Sequence, residues 1–296
     1  MTDLGHRLSP KTPQPLHHTR VLSLALNLPG PAALMRLKAL GATCTKVEPP
    51  PGDPMARYST EAYAALHAGI GVVTADLKHP DGRHSLREWL AHTDVLLTSF
   101  RPSALVKLGL DWNTLSAAYP LLSMVSIVGA PGARAEEAGH DLTYMAEAGL
   151  VPDTALPPTL YADMAGALLA SEAVLQTALA RHTQGHGVHV EVALSDAAQW
   201  LALPRQWGLT TPNGDVGGAH AGYRIYPCAN GRVAVAALEP HFATRLCEVA
   251  GLPPDAAQDM RAQPTHTRLA AWLATHTRAQ LDALAALHDI PLHTLG

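Results

Sequence analysis

Two ionisable residues of complementary type stand close together in this chain. His140 lies in Gly139-His140-Asp141-Leu142-Thr143-Tyr144, and Asp163 lies in Tyr161-Ala162-Asp163-Met164-Ala165-Gly166. Histidine changes charge near neutral pH, and a carboxylic acid does the same once burial raises its pKa, so the pair is suited to moving a proton on and off carbon. The apolar Met164, Ala165 and Ala167 around Asp163 favour that rise. Inverting a carbon beside a carbonyl needs one such group on each face. The enolate between the two steps needs preorganised donors, and the helix opening at Asp163-Met164-Ala165 is a candidate source of N–H groups. An ionised Asp163 could instead attack an acyl carbonyl as a nucleophile. A third ionisable group, Glu239, follows far downstream in Ala237-Leu238-Glu239-Pro240. Each residue also has a structural role open to it. His140 could cap a turn, Asp163 could be the N-cap of an Ala-rich helix, and Glu239 could start a helix with Pro240 at its first position.

Composition removes several classes of function. A formal net charge of −4 leaves no surplus of Lys and Arg to displace counterions from a phosphate backbone, which argues against nucleic-acid partners. Cys44, Cys228 and Cys247 are widely spaced and form no CxxC pair, so neither a disulfide framework nor a zinc site is indicated, and a reducing compartment fits. Met1 to His18 has no apolar core segment of the kind a signal peptide carries. The Ala- and Leu-rich run from Ala165 to Ala180 is interrupted by Ser171, Glu172 and Gln176 and falls short of the ~20 apolar residues of a bilayer crossing. A cytoplasmic protein with no membrane association is expected. The two rings of His186 and His189 do not suggest a metal site, and the loop at Pro29-Gly30-Pro31 has no GxGxxG pattern for a nicotinamide or flavin.

The residues that could do chemistry need a scaffold, and the chain supplies alternating patterns. Val21 to Leu26, Cys44 to Glu48, Val72 to Asp76, Val95 to Ser99 and Leu121 to Val128 read as strands. Ala32 to Leu40 and Arg83 to His92 read as helices, and Tyr161 to Arg181 is the longest helical stretch, followed by an alternating run over Val188 to Leu194. Strands alternating with helices predict a Rossmann-like α/β domain with a parallel sheet covered on both faces. A large domain is expected over residues 1–205, a Gly- and Pro-rich linker over 206–220, and a smaller α+β domain over 221–296. In the smaller domain, two strands around an Asn230-Gly231 turn precede helical segments at His241 to Gly251 and Thr267 to His288.

Eight short pieces in order then resemble one family. They are Pro29-Gly30-Pro31, Lys46-Val47-Glu48-Pro49-Pro50, Thr74-Ala75-Asp76-Leu77-Lys78, Phe100-Arg101-Pro102, Lys107-Leu108-Gly109-Leu110, Gly139 to Tyr144, Tyr161 to Gly166 and Ala237-Leu238-Glu239-Pro240. The chain resembles the alpha-methylacyl-CoA racemase branch of the family III CoA-transferases. The resemblance implies an interlocked homodimer acting on acyl-CoA, with no permanently bound cofactor, coenzyme A being part of the substrate. It implies His140 and Asp163 as the acid/base pair, with Glu239 paired to His140 across the subunit interface. Ala75, Asp76, Leu77, Lys78, Ser99, Phe100, Arg101, Lys107, Gly139, Asp141 and Tyr144 would line the CoA site.

The chain departs from the family pattern at Ala68-Gly69-Ile70-Gly71, where relatives carry basic residues, at Pro49, and at Lys107, a point charge in place of an arginine fork. It also stops at Gly296, before the segment with which relatives return to the large domain. Three functions stay open at this point. They are a 2-methylacyl-CoA racemase, a CoA-transferase with Asp163 as nucleophile, and a CoA-binding protein without turnover.

Overall fold

The computed structural model describes residues 13–296. The chain divides into two compact units, the first ending at Ala202 and the second spanning Leu203–Gly296.

The first unit alternates strands with one or two helices, and its last helix begins within it and runs past Ala202. Its elements are β1 (Arg20–Ser23), α1 (Pro29–Ala39), β2 (Thr43–Glu48), α2 (Met55–Tyr58), α3 (Thr60–Leu66), β3 (Gly71–Thr74), α4 (Pro80–Leu90), β4 (Val95–Thr98), α5 (Pro102–Leu108), α6 (Trp112–Ala118), β5 (Ser123–Val128), α7 (Asp141–Glu147), α8 (Tyr161–Gln184), β6 (His189–Ala193) and α9 (Leu194–Gln206). The strands form one six-stranded, all-parallel sheet in the order β3-β2-β1-β4-β5-β6. That is the doubly wound order, in which the chain reverses direction across the sheet between β1 and β4.

Burial follows from the topology. All residues of β4 and β5 are buried, as expected of strands whose two faces both carry helices. Side chains alternate across the sheet. Val21, Leu97 and Val125 join a core with α1 and α8, while Leu22, Leu96 and Met124 join a second core with Leu86, Leu90, Leu105 and Leu115 from α4, α5 and α6. The edge strand β3 is largely exposed. Pro29-Gly30-Pro31 is the first turn of α1 rather than a loop, because a proline at the first helical position sacrifices only an N–H that the helix could not use.

The second unit holds an antiparallel sheet of β7 (Tyr223–Cys228), β8 (Gly231–Ala236) and β9 (Leu292–Leu295), with β8 in the middle. Helices α10 (Pro240–Val249), α11 (Gln263–Ala274) and α12 (Arg278–His288) complete it. Cys228 pairs with Gly231, so the hairpin turns on Ala229 and Asn230, one residue earlier than the Asn-Gly pattern predicts. The helical segment expected over Thr267 to His288 is two helices. The first ends at Ala274, and Thr277 caps the second, its hydroxyl accepting from the N–H of Gln280 while the Gln280 side chain accepts from the N–H of Thr277. No helix among the described residues is long and apolar enough to cross a membrane.

Candidate active site

Parallel strands of one sheet deliver their following loops to the same edge, and the loops after β1 and β4 part company where the strand order reverses. A pocket of about 190 Å³ opens there. Leu26, Asn27 and Pro29 enter it after β1, Ser99, Phe100 and Arg101 after β4, Val128 and Gly129 at the end of β5, and Leu194 after β6. Gly139, His140, Tyr144 and Asp163 close its other side. This is the crevice where open α/β sheets bind ligands.

Seven of the residues implied for the site therefore line one cavity: His140, Asp163, Ser99, Phe100, Arg101, Gly139 and Tyr144. Ala75, Asp76, Leu77 and Lys78 do not line it. They follow the edge strand β3, where the Asp76 carboxylate accepts from the N–H of Lys78 in a tight turn into α4. Lys107 is exposed on the last turn of α5. Glu239 lies in the second unit, exposed, immediately before Pro240 at the start of α10.

Asp163 is the third residue of α8, not its N-cap; Leu160 holds that position. The Asp163 N–H donates to Oδ1 of Asp141 at 3.0 Å. Asp141, only 5% exposed, is the first residue of α7 and thereby ties the openings of two helices together. The Met164 N–H donates to the carbonyl of Leu160. The donors expected at Asp163 and Met164 are thus engaged, one by Asp141 and the other within the helix.

Burial pushes the Asp163 carboxyl up to about 6, the nearby Asp141 carboxylate pushes in the same direction, and His140 pulls the other way. At neutral pH Asp163 is mainly ionised, yet more basic than an ordinary carboxylate. His140 is the residue before α7, with its own N–H given to the Thr143 hydroxyl at 3.1 Å. Tyr144, one turn further on, is buried. Its hydroxyl pKa is raised by burial and by the charge of Asp163.

Beside the pocket lies a buried charge cluster. Lys46, fully buried on β2, hydrogen-bonds through its ammonium to Asp53 and to Nε2 of His67 at 2.9 Å, and is ion-paired with Glu48 at 3.0 Å. Two carboxylates and a ring nitrogen thus surround one ammonium. The Nδ1 of His67 is 2.7 Å from the Tyr63 carbonyl, so the ring is neutral with its proton on Nδ1, and burial lowers its pKa accordingly. Glu48, Asp53 and His67 are grouped closely enough to hold a metal ion, but the Lys46 ammonium already occupies their centre. The other Asp53 oxygen accepts from the N–H of Asn27 at 3.0 Å and of Met55 at 2.8 Å. Asn27, with φ of 65°, is thereby held in a left-handed conformation at the pocket wall.

The sequence profile of CoA-transferase family III matches residues 16–295. The chain belongs to that family. It is 29% identical to a succinyl-CoA–D-citramalate CoA-transferase of Chloroflexus aurantiacus over 96% of this chain and 79% of that protein. It is 28% identical to a succinate–glutarate CoA-transferase of Agrobacterium fabrum over 85% of this chain and 69% of that one. The crystal structure of a hypothetical protein of Mycobacterium tuberculosis superposes with a TM-score of 0.80 at 26% identity, covering 95% of this chain and 85% of that chain.

Within this family III fold, the residues that the sequence does not single out are Asn27, Gly129 and the acceptors of Lys46. A lysine in the alternating run Cys44 to Glu48, on a strand of a sheet covered on both faces, is the one signal that points to a buried charge network.

Proposed function

We propose that this chain is a CoA-transferase, moving CoA from an acyl-CoA to a free carboxylic acid, with Asp163 as the nucleophile. The observation that carries this reading is the Asp163 carboxyl. It faces the pocket at the topological switch point, is anchored through its own backbone by Asp141, and is tuned to about 6. Such a carboxylate is charged at pH 7 and more nucleophilic than a solvated one. The names of the two relatives, both CoA-transferases acting with dicarboxylates, support the same chemistry and suggest a dicarboxylic acid as acceptor.

In the proposed cycle a carboxylate oxygen of Asp163 attacks the thioester carbonyl carbon. The C–S bond breaks, leaving a mixed anhydride and CoA thiolate. The thiolate then attacks the Asp163 carbonyl, forming an aspartyl-CoA thioester and releasing the first acid. An acceptor carboxylate repeats the sequence in reverse and leaves as the new acyl-CoA. No net proton is consumed.

A racemase reading retains one specific observation, the presence of His140 and Asp163 in the same pocket. The two readings separate on His140. With succinyl-CoA as donor and glutarate as acceptor, a transferase loses turnover in Asp163→Ala and keeps much of it in His140→Ala. A two-base racemase gives deuterium at the alpha carbon of a 2-methylacyl-CoA in heavy water and loses it in both variants. Exchange without transfer overturns the proposal. The family reading also carries a homodimer, which sedimentation of the purified chain tests.

A further inference from the structure

The attack of Asp163 on a thioester places negative charge on the acyl oxygen, and a donor must meet it. Three backbone N–H groups beside the pocket are already engaged. The N–H of Asp163 is given to Asp141, that of Met164 to Leu160 and that of His140 to Thr143. Tyr161 and Ala162, the earlier residues of α8, do not line the pocket.

Tyr144 is different. Its side chain lines the pocket together with Asp163 and is only 7% exposed. Among the described residues its hydroxyl makes no hydrogen bond, and its oxygen is not sealed from solvent, so it is open to the pocket. A pocket-facing phenol that no protein group engages keeps its proton available to a ligand. The surroundings hold it in place: a Cβ on Gly129 would lie 2.3 Å from the Tyr144 oxygen and one on Gly139 would lie 2.4 Å from it, so the ring fills a slot that two glycines leave open. Burial and the Asp163 charge keep the phenol protonated, so it is a donor at neutral pH.

We propose that the Tyr144 hydroxyl donates a hydrogen bond to the acyl oxygen in the tetrahedral intermediate formed when Asp163 attacks a CoA thioester, an inference that rests on the transferase reading. As the new O–C bond forms, the carbonyl π pair moves onto oxygen and is held by the Tyr144 proton. Collapse restores the carbonyl and expels CoA thiolate. The phenol keeps its proton throughout. The hydroxyl is then a catalytic group rather than part of the wall for coenzyme A.

The test is single-turnover acylation of the full chain by succinyl-CoA, wild type against Tyr144→Phe. It is read as the release of free succinate and as the mass of the Asp163 adduct, the CoA thioester itself or the hydroxamate left when hydroxylamine displaces CoA. The expected result is a rate lower by about 10- to 100-fold in Tyr144→Phe, with succinyl-CoA affinity by calorimetry changed less than about twofold. An unaltered acylation rate, or a loss that appears only as weaker binding, overturns the inference and leaves the transferase reading standing. No adduct in the wild type overturns both. If Tyr144→Phe does not fold, 3-fluorotyrosine at position 144 decides. A donor moves the alkaline limb of the acylation rate to lower pH as the phenol becomes more acidic, and a ring that only packs leaves that limb where it was.

Discussion

Asp141 accepts the backbone N–H of Asp163 at 3.0 Å, so the neighbour in sequence of one pocket residue, His140, is the anchor of the other. The arrangement has two effects that can be separated. The hydrogen bond fixes the start of α8 and hence where the Asp163 side chain sits, while the charge of Asp141 helps to raise the Asp163 pKa. Asp141→Asn keeps an acceptor oxygen and removes the charge. Its expected signature is an acid limb of the pH–rate profile moved to lower pH, with the unfolding midpoint nearly unchanged. Asp141→Ala removes both effects and leaves an orphaned N–H, at a cost of about 1–2 kcal/mol and at least about tenfold in turnover.

Asp163 itself works against the fold at neutral pH. Its folded pKa of about 6 lies above the 3.8 of an ordinary aspartate, so between these values the folded chain binds more protons than the unfolded chain. Stability therefore falls as pH rises from about 4 to about 6 and then levels off. An uncharged Asp163→Asn has no such loss. It is expected to be inactive and, above pH 6, more stable than the wild type by roughly 2 kcal/mol, with the difference gone below pH 4. Thermal unfolding of both proteins across that range checks the sign, and a gain that persists at pH 3.5 would sink the account.

Much of the first unit is legible in the sequence because its signals are local. The runs Val95 to Ser99 and Leu121 to Val128 are apolar enough to be central parallel strands, and the long helix after Tyr161 declares itself by length and composition. The Thr277–Gln280 capping box is equally local, yet it is easily overlooked inside a longer helical composition. The grouping of His140, Tyr144 and Asp163 with Arg101 is another matter. It depends on which strand ends meet at one edge, a property of strand order that spacing does not encode, and here family resemblance supplies what periodicity cannot. Asn27 and the Lys46 cluster escape for the same reason, since their partners come from separate segments.

Lys46 holds that cluster together. Replacing it with Met leaves the carboxylates of Glu48 and Asp53 buried without their shared cation, a change of the kind that costs about 3–5 kcal/mol. Urea unfolding should show that loss, and a Lys46→Met, Glu48→Gln, Asp53→Asn triple variant should recover part of it because the uncompensated charges are gone. The pocket is affected through Asn27, whose N–H Asp53 accepts. Substrate binding is expected to weaken in the single variant at temperatures where it remains folded, measured as a raised KM for the CoA thioester.

The two glycines around Tyr144 make the last prediction, and they differ in what they meet. A Cβ on Gly129 would clash with the Tyr144 oxygen at 2.3 Å, but the next atom, Cζ, is 3.2 Å away. A Cβ on Gly139 would lie 2.4 Å from the oxygen and also 2.6 and 2.7 Å from Cε1 and Cζ of the ring. Either alanine overpacks a buried ring and should cost about 1–3 kcal/mol. Removing only the hydroxyl, with Tyr144→Phe, relieves the first clash and not the second. A double-mutant cycle on unfolding free energies should therefore show Gly129→Ala largely rescued in the Phe background, with a coupling of about 1 kcal/mol or more, and Gly139→Ala still destabilising there. Equal rescue at both positions would mean that the ring moves aside as a whole, and Tyr144 would then not be held rigidly enough to aim its hydroxyl at a reacting carbonyl.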